Sequence, residues 1–318
     1  GIVEGDVGIF QEETRERKKN HLLIQQNLSA KLAEKGAELI IWSESAYRFG
    51  DLPRRASRIP PSSAPLVSDF REDIGRSRAQ TRAPIRGFDV PLLFGGTSTE
   101  PREKPRWQGD FPMTPRNTAF LLDGDGTVAG TYDKVYLLIF GEYVPFIEYM
   151  PWFYKMIPAA GNLEPGSEVK VIEADLWDKG PVRLGVLICY EGILPGFARQ
   201  LVGQDANVLI NLTNDAWYGI SAGPHQHFAN ARVRAVEEGV PLVRSAYTGI
   251  SGAVDSYGRI VGTIPLNQKG YFDFRLPEPL VVPPVYARFG DILFAAFLCV
   301  CSLVAIAVSW MNRRKPTL

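Results

Sequence analysis

An α/β fold of mixed, helix-covered sheets followed by one transmembrane helix is what the sequence predicts, on three observations. Strand-like apolar runs alternate with two long helical stretches. Hairpin signals interrupt that alternation, so the sheets are expected to be mixed and not doubly wound and parallel. Finally, an uncharged run of 19 residues from Ile292 to Trp310 would span roughly 28 Å as a helix, close to the ~30 Å hydrocarbon core of a bilayer.

The opening residues, Gly1-Ile2-Val3-Glu4, read like the end of a buried strand, and an upstream segment is expected before them. From Glu16 to Lys35, Leu22, Leu23, Leu28, Leu32 and Ala33 recur among charges, which predicts an amphipathic helix stopped by Gly36. A buried strand is expected over 38–42 and another over 91–96, with a Pro-, Ser- and Arg-rich loop over 51–88 between them. The runs 117–122 and 127–132 flank Asp123-Gly124-Asp125-Gly126, a hairpin signal. Strands are expected over 182–189, 206–212 and 241–244, a helix over 226–238, and a last hairpin through Asp255-Ser256-Tyr257-Gly258-Arg259. Pro277, Pro279, Pro283 and Pro284 mark the boundary between a globular domain, 1–287, and a terminal helix with a short basic tail, 288–318.

A chain of 318 residues, 45% hydrophobic and 22% charged, can bury a full core. Lys+Arg 35 against Asp+Glu 35 leaves no net charge to attract a polyanion, so nucleic acid is not an expected partner. Arginines 54, 55, 58, 71, 76, 78, 82 and 86 are interspersed with acidic residues and read as a solvated face. Three cysteines, two of them inside the terminal apolar run, imply no disulfide framework and leave Cys189 by itself. Arg313, Arg314 and Lys315 follow the apolar run, which by the positive-inside rule puts the C-terminus in the cytoplasm and the globular domain across the membrane.

Three strand ends finish in residues that nucleophilic catalysis uses: Trp42-Ser43-Glu44, Tyr132-Asp133-Lys134 and Ile188-Cys189-Tyr190-Glu191. A carboxylate can take a thiol proton, the thiolate can attack a carbonyl carbon, and an ammonium can offset charge on thiolate and oxyanion. The order Glu, Lys, Cys, each in its own motif, resembles the nitrilase or carbon-nitrogen hydrolase superfamily. Phe140-Gly141-Glu142-Tyr143-Val144-Pro145-Phe146, Thr213-Asn214-Asp215-Ala216-Trp217-Tyr218-Gly219, Gly223-Pro224-His225-Gln226-His227 and Tyr286-Ala287-Arg288-Phe289-Gly290-Asp291 narrow the resemblance to its apolipoprotein N-acyltransferase family.

That resemblance implies a nitrilase-like αββα sandwich, with Glu44, Lys134 and Cys189 as the triad. It implies a second important carboxylate at Glu142 and important neighbours of the nucleophile at Tyr190 and Glu191. Glu142 in a plain structural ion pair and Tyr190 as mere packing are the alternatives, and the Tyr190 N–H is a candidate oxyanion donor. The implied partners are a phospholipid acyl donor, a diacylglyceryl-modified apolipoprotein acceptor and the membrane, with no cofactor. The implied place is the bacterial inner membrane with the catalytic domain on the periplasmic side. A membrane-anchored amidase or nitrilase is the alternative function. Two departures from the family pattern stand out, Ser43 where a proline is usual and Ile139 near the second carboxylate motif, and the family's N-terminal membrane helices have no counterpart here.

Two further features are weighed on their own residues. The stretch 146–158 is rich in aromatics and reads as a lid or arm at the membrane surface, with Trp152 and Phe153 facing lipid. His225 and His227 near Asp215 could be read as metal ligands, but i and i+2 side chains on a helix diverge, so no metal is expected.

Overall fold

The computed structural model describes residues 1–5, 14–48, 84–101, 113–146, 149, 152, 161–176, 181–219 and 221–313. Most of the expected loop 51–88, most of the stretch 146–158 including Phe153, and Arg314 and Lys315 lie outside the described residues.

Two six-stranded sheets face each other among the described residues. The first runs β12 (Gly270–Phe272), β1 (Ile2–Glu4), β2 (Ile40–Ile41), β3 (Leu92–Pro101), β4 (Met113–Leu122) and β5 (Val128–Asp133). The second runs β11 (Ile260–Ile264), β10 (Ser251–Val254), β9 (Leu242–Ala246), β8 (Val208–Thr213), β7 (Pro181–Ile188) and β6 (Ile172–Asp175). Each has a parallel centre, β1-β2-β3 in one and β7-β8-β9 in the other, flanked by antiparallel strands. The mixed sheets predicted from the hairpins are therefore present.

Period-two alternation sorts the strand side chains into layers. Ile41 and Leu93 point into the core shared by the two sheets, whereas Ile40, Trp42, Leu92 and Phe94 point to the opposite face, beneath helix α1 (Arg15–Glu34). On the far side of the second sheet, α2 (Pro195–Val202) and α3 (Gly223–Glu238) bury Phe197, Leu201, Phe228 and Ala231 in the first of these cores. The result is four layers, helix, sheet, sheet, helix. Val285–Phe289 forms the short α4, and Ile292–Arg313 forms α5. The span Ile292–Trp310 within α5 is long and apolar enough to cross a membrane, and none of it is buried in the protein.

The structure departs from the sequence expectations in three ways. The strand expected over 38–42 is only Ile40–Ile41, and Cys189, expected as the last residue of a strand, lies just past β7 as the first residue of a 3-10 turn, Cys189–Ile193. In α1 the buried stripe is His21, Gln25, Ser29 and Leu32, while Leu23 is exposed. Its phase is set by a polar contact, since the buried Trp42 indole N–H donates to Ser29 Oγ at 2.9 Å. The strands β6 and β12 were not expected; each is short and pairs at a sheet edge, where a weak apolar pattern suffices.

Gly95 on β3 shows how tightly the sheet sets the backbone at Glu44. A Cβ there would lie 2.7 Å from Glu44 Cα, 2.8 Å from Ser45 N and 3.0 Å from Ser43 O, all of it backbone. Gly95→Ala is expected to destabilise the protein by about 1–3 kcal/mol, the usual cost of forced overpacking. Denaturant titration of the detergent-solubilised protein checks this, and an unchanged midpoint would contradict it.

Candidate functional site

β2 and β5 run in the same direction, because β3 is parallel to β2 and two antiparallel steps separate β3 from β5. Glu44 and Lys134, each just past its strand, therefore emerge at one edge of the first sheet. Cys189 follows β7 of the second sheet and adopts φ 52°. This left-handed conformation costs a non-glycine residue about 1–2 kcal/mol and turns the chain sharply out of the sheet.

Side chains from all three strand ends meet. Lys134 is 1% exposed, and its Nζ lies 2.6 Å from Glu142 Oε2. Glu44 is buried, close enough to Lys134 and Cys189 for both to act on its carboxyl. Asn117 on β4 ties the two carboxylates together: its Nδ2 donates to Glu44 Oε1 at 2.7 Å and to Glu142 Oε1 at 3.1 Å. Its carbonyl accepts the Lys134 backbone N–H at 2.9 Å. Leu138 N donates to Glu142 Oε2 at 2.8 Å, so Glu142 both pairs with the ammonium and orders the loop behind it.

The electrostatics suit proton transfer. Burial raises the Glu44 carboxyl, with Glu142 adding repulsion and Lys134 opposing the rise. Burial pushes the Cys189 thiol up to about 12, with the Glu44 charge reinforcing and Lys134 and a Thr213 hydrogen bond opposing. Burial alone would lower Lys134, but Glu44, Cys189 and Glu142 hold it above the usual lysine range. A thiol that high is neutral at rest, so attack requires a base that removes the proton as the new bond forms.

Glu191 is 0% exposed and joins the two halves. Its Oε1 accepts from Tyr132 Oη at 3.0 Å, Val135 N at 2.8 Å and Tyr136 N at 3.0 Å, and its Oε2 accepts from Ile188 N at 2.8 Å. Burial pushes its carboxyl up to about 7, and the backbone N–H groups oppose that rise. The Tyr190 ring stacks on Tyr136 with centroids 5.9 Å apart.

A second buried network lies behind Cys189. Asp215 Oδ2 accepts from Arg244 Nη2 at 2.6 Å, and Asp215 Oδ1 lies 2.7 Å from His227 Nδ1. His227 Nε2 and Asn211 Nδ2 each lie 3.4 Å from the Cys189 carbonyl oxygen, and Arg244 Nη1 bonds Asn211 Oδ1. Burial favours the neutral acid at Asp215, but Arg244 and His227 hold its carboxyl below the ordinary range. His227 is thus engaged with Asp215, while His225 is exposed and does not join it.

The structure brings together Glu44, Lys134, Cys189, Glu142 and Glu191, and stacks Tyr190 beside them. Trp152 is 56% exposed. The sequence reading missed Asn117, Asn211 and Arg244. Asn211 and Arg244 carried a signal, a polar or charged residue inside a largely apolar strand, which survives burial only with partners, whereas Asn117 lies among the polar residues Thr114, Arg116 and Thr118 of β4 and does not stand out.

With this geometry in place, comparison with known proteins is direct. The family model described as Carbon-nitrogen hydrolase matches residues 7–277. A relative from Geobacter metallireducens named apolipoprotein N-acyltransferase is 34% identical over 312 residues, which are 96% of this chain and 51% of that protein. Another of that name from Rhizobium rhizogenes is 42% identical over 245 residues, 76% of this chain and 40% of that protein. The chain spans about half the length of the first of these curated relatives. Among solved structures, a cysteine-to-alanine mutant of an amidase of the nitrilase superfamily from Nesterenkonia superposes with TM-score 0.54 at 20% identity, over 85% of this chain and 86% of that one. A carbon-nitrogen hydrolase from Helicobacter pylori gives TM-score 0.54 at 17% identity, over 84% and 85%. These likenesses show the fold, and the expected nitrilase-like sandwich is the one observed.

Asp215 makes stability depend on pH. Because its folded pKa is depressed, the stability it contributes is present above the ordinary aspartate range and lost as pH falls through the folded value. Asp215→Asn leaves Arg244 buried without its anion and is expected to cost about 3–5 kcal/mol at neutral pH. Urea titrations at a series of pH values should show the gap to wild type narrowing as acidity rises. A gap independent of pH would contradict the assignment.

Proposed function

Because the chain belongs to the carbon-nitrogen hydrolase family, we propose that it is the catalytic part of a membrane-bound acyltransferase that moves a phospholipid acyl chain, through a thioester on Cys189, to the N-terminal α-amine of a diacylglyceryl-cysteine lipoprotein. The observation that carries this reading is the convergence of a base, an ammonium and a thiol from three strand ends in a chain that ends in a membrane-length helix. Support for the substrate class comes from the names of the curated relatives.

In the proposed cycle, Cys189 Sγ attacks the ester carbonyl while Glu44 takes the thiol proton. The tetrahedral oxyanion faces the Lys134 ammonium and the Tyr190 N–H. Collapse breaks the ester C–O bond, and the lysophospholipid alcohol leaves with the proton returned by Glu44. The α-amine then attacks the thioester, Glu44 takes its proton, and the C–S bond breaks to restore the thiol. Glu142 keeps Lys134 charged and placed. The division proposed is a catalytic domain over 1–287 on the periplasmic side of a bacterial inner membrane, and a membrane helix and tail over 288–318 reaching the cytoplasm.

A second reading, a membrane-tethered amidase in which water resolves the thioester, draws on the amidase among the structural neighbours. The two differ in the fate of the adduct. Incubated with phospholipid vesicles and no amine, the full-length acyltransferase should hold an acyl group on Cys189 that hydroxylamine releases, whereas an amidase would turn it over. Cys189→Ala should abolish the adduct. Glu44→Gln and Lys134→Ala should slow its formation by about 10²–10³-fold, the range for loss of a catalytic base or an oxyanion partner. An adduct on Cys299 or Cys301 instead, or acyl transfer without any adduct, would remove Cys189 from the mechanism.

Trp152 and Phe153 are proposed to face lipid, an exposed indole being suited to the membrane interface. Trp152→Ala should slow acyl transfer from vesicles severalfold while leaving the melting temperature in place. A lowered melting temperature with unchanged transfer would instead mark it as a packing residue.

A further inference from the structure

The network behind Cys189 uses no group that touches a substrate, yet it converges on one atom, the Cys189 carbonyl oxygen. The peptide bonds of the described residues are all trans. In a trans peptide the carbonyl and the following N–H point in opposite directions. Whatever holds the Cys189 carbonyl therefore also sets the direction of the Tyr190 N–H. With φ 52° at Cys189, this peptide plane leaves the strand pattern on its N-terminal side and opens the 3-10 turn Cys189–Ile193 on the other, and side chains reach the carbonyl as well.

Two side chains do so. Asn211 Nδ2 lies 3.0 Å from Leu187 O and 3.4 Å from Cys189 O, and His227 Nε2 also lies 3.4 Å from Cys189 O. Both contacts are long, so the aim depends on how firmly the donors themselves are fixed. Asn211 is 0% exposed, its Oδ1 is taken by Arg244 Nη1, and a Cβ at Gly192 in the turn would sit 2.7 Å from Asn211 Nδ2. His227 is 5% exposed, and its Nδ1 lies 2.7 Å from Asp215 Oδ1. Its Nδ1 also lies 3.2 Å from Arg244 Nη2, which ties the ring to the same buried network. Asp215 is locked in turn by Arg244 at 2.6 Å, with a Cβ at Gly249 only 2.5 Å from Asp215 Oδ2.

We propose that Asn211 and His227, backed by Asp215 and Arg244, are positioning residues that fix the plane of the Cys189–Tyr190 peptide and so aim the Tyr190 N–H into the cleft as an oxyanion donor. The inference rests on Cys189 being the nucleophile. It adds a division of labour, in which the first sheet supplies proton transfer through Glu44 and Lys134 and the second sheet supplies the oxyanion geometry through a network reaching from β8 and β9 to α3.

Two reactions of the same thiol separate positioning from general damage. Alkylation by iodoacetamide forms a C–S bond at a saturated carbon and expels iodide, so no oxyanion develops. Acylation by p-nitrophenyl butyrate forms a C–S bond at a carbonyl: Glu44 takes the thiol proton, an oxyanion develops and collapses, and p-nitrophenolate leaves. With the full chain in detergent, each adduct is quantified on the Cys189 peptide by mass spectrometry.

His227→Ala is expected to slow acylation by about 10²-fold, the scale for loss of one oxyanion donor, while alkylation stays within about twofold of wild type. His227→Gln keeps an N–H near the Nε2 position and should recover most of the acylation rate. Equal loss of both reactions in His227→Ala, no loss of acylation, or no recovery in His227→Gln when that variant melts like wild type would each overturn the proposal. Where His227→Ala fails to fold, His227→Gln and His227→Asn make the same comparison, since the shorter amide reaches only the Nδ1 position and should stay slow. Failure of Cys189→Ala to remove the wild-type acyl adduct would sink the nucleophile assignment itself, a result distinct from a positional failure at His227.

Discussion

Glu191 sits fully buried between the sheets and takes one hydrogen bond from the end of β7 and three from β5 and the loop after it. Those two chain segments carry Cys189 and Lys134. A buried acceptor left without such hydrogen bonds is costly, which ties the two segments to the carboxyl group. The carboxylate therefore helps to fix the distance between thiol and ammonium, which belong to different sheets. Dispersion and burial hold the sheets face to face but are non-directional. A site that needs atoms placed to a fraction of an ångström requires directional contacts such as these.

The reacting edge of the first sheet answers a different problem, two carboxylates next to each other out of water. Glu44 and Glu142 would repel if left alone. The Lys134 ammonium between their charges and the shared Asn117 amide keep both in place, at the cost of raising the Glu44 carboxyl. A raised carboxyl is a stronger base toward a thiol, and a thiol pushed up to about 12 will not ionise unprompted. In the proposed cycle this pair would pass the proton during attack, with Lys134 facing the charge that follows.

Beyond the polar centre, the segment after Lys134 exposes apolar side chains to an unusual degree: Tyr136, Phe140, Phe146, Tyr149 and Trp152 are each at least half exposed. Isolated exposed aromatics are ordinary, but a run of them in the segment that follows Lys134, in a chain with a membrane-length helix, fits the proposed work on lipid. Burial elsewhere is complete enough that these residues are not a failure of packing; the sheets bury their own aromatics, as Phe94 and Phe120 stack at 5.6 Å beneath α1.

Sequence by itself determined which chemistry is available and roughly where the scaffold puts it. Glu44, Lys134 and Cys189 follow short apolar runs, the glycine-rich hairpin at 123–126 stands out locally, and the span 292–310 is legible from its lack of charge; such features depend on neighbours in sequence. Tertiary structure decided the rest, because the deciding contacts are non-local. Asn117 meets Glu44 across 73 residues, Tyr132 meets Glu191 across 59, and Arg244 meets Asp215 across 29. In α1 the buried stripe includes His21, Gln25 and Ser29 beside Leu32, with Ser29 bonded to Trp42, and Cys189 leaves its strand at φ 52° for a turn that packs on Asn211. No periodicity encodes a partner that distant; only the closed packing of the two sheets brings it within reach.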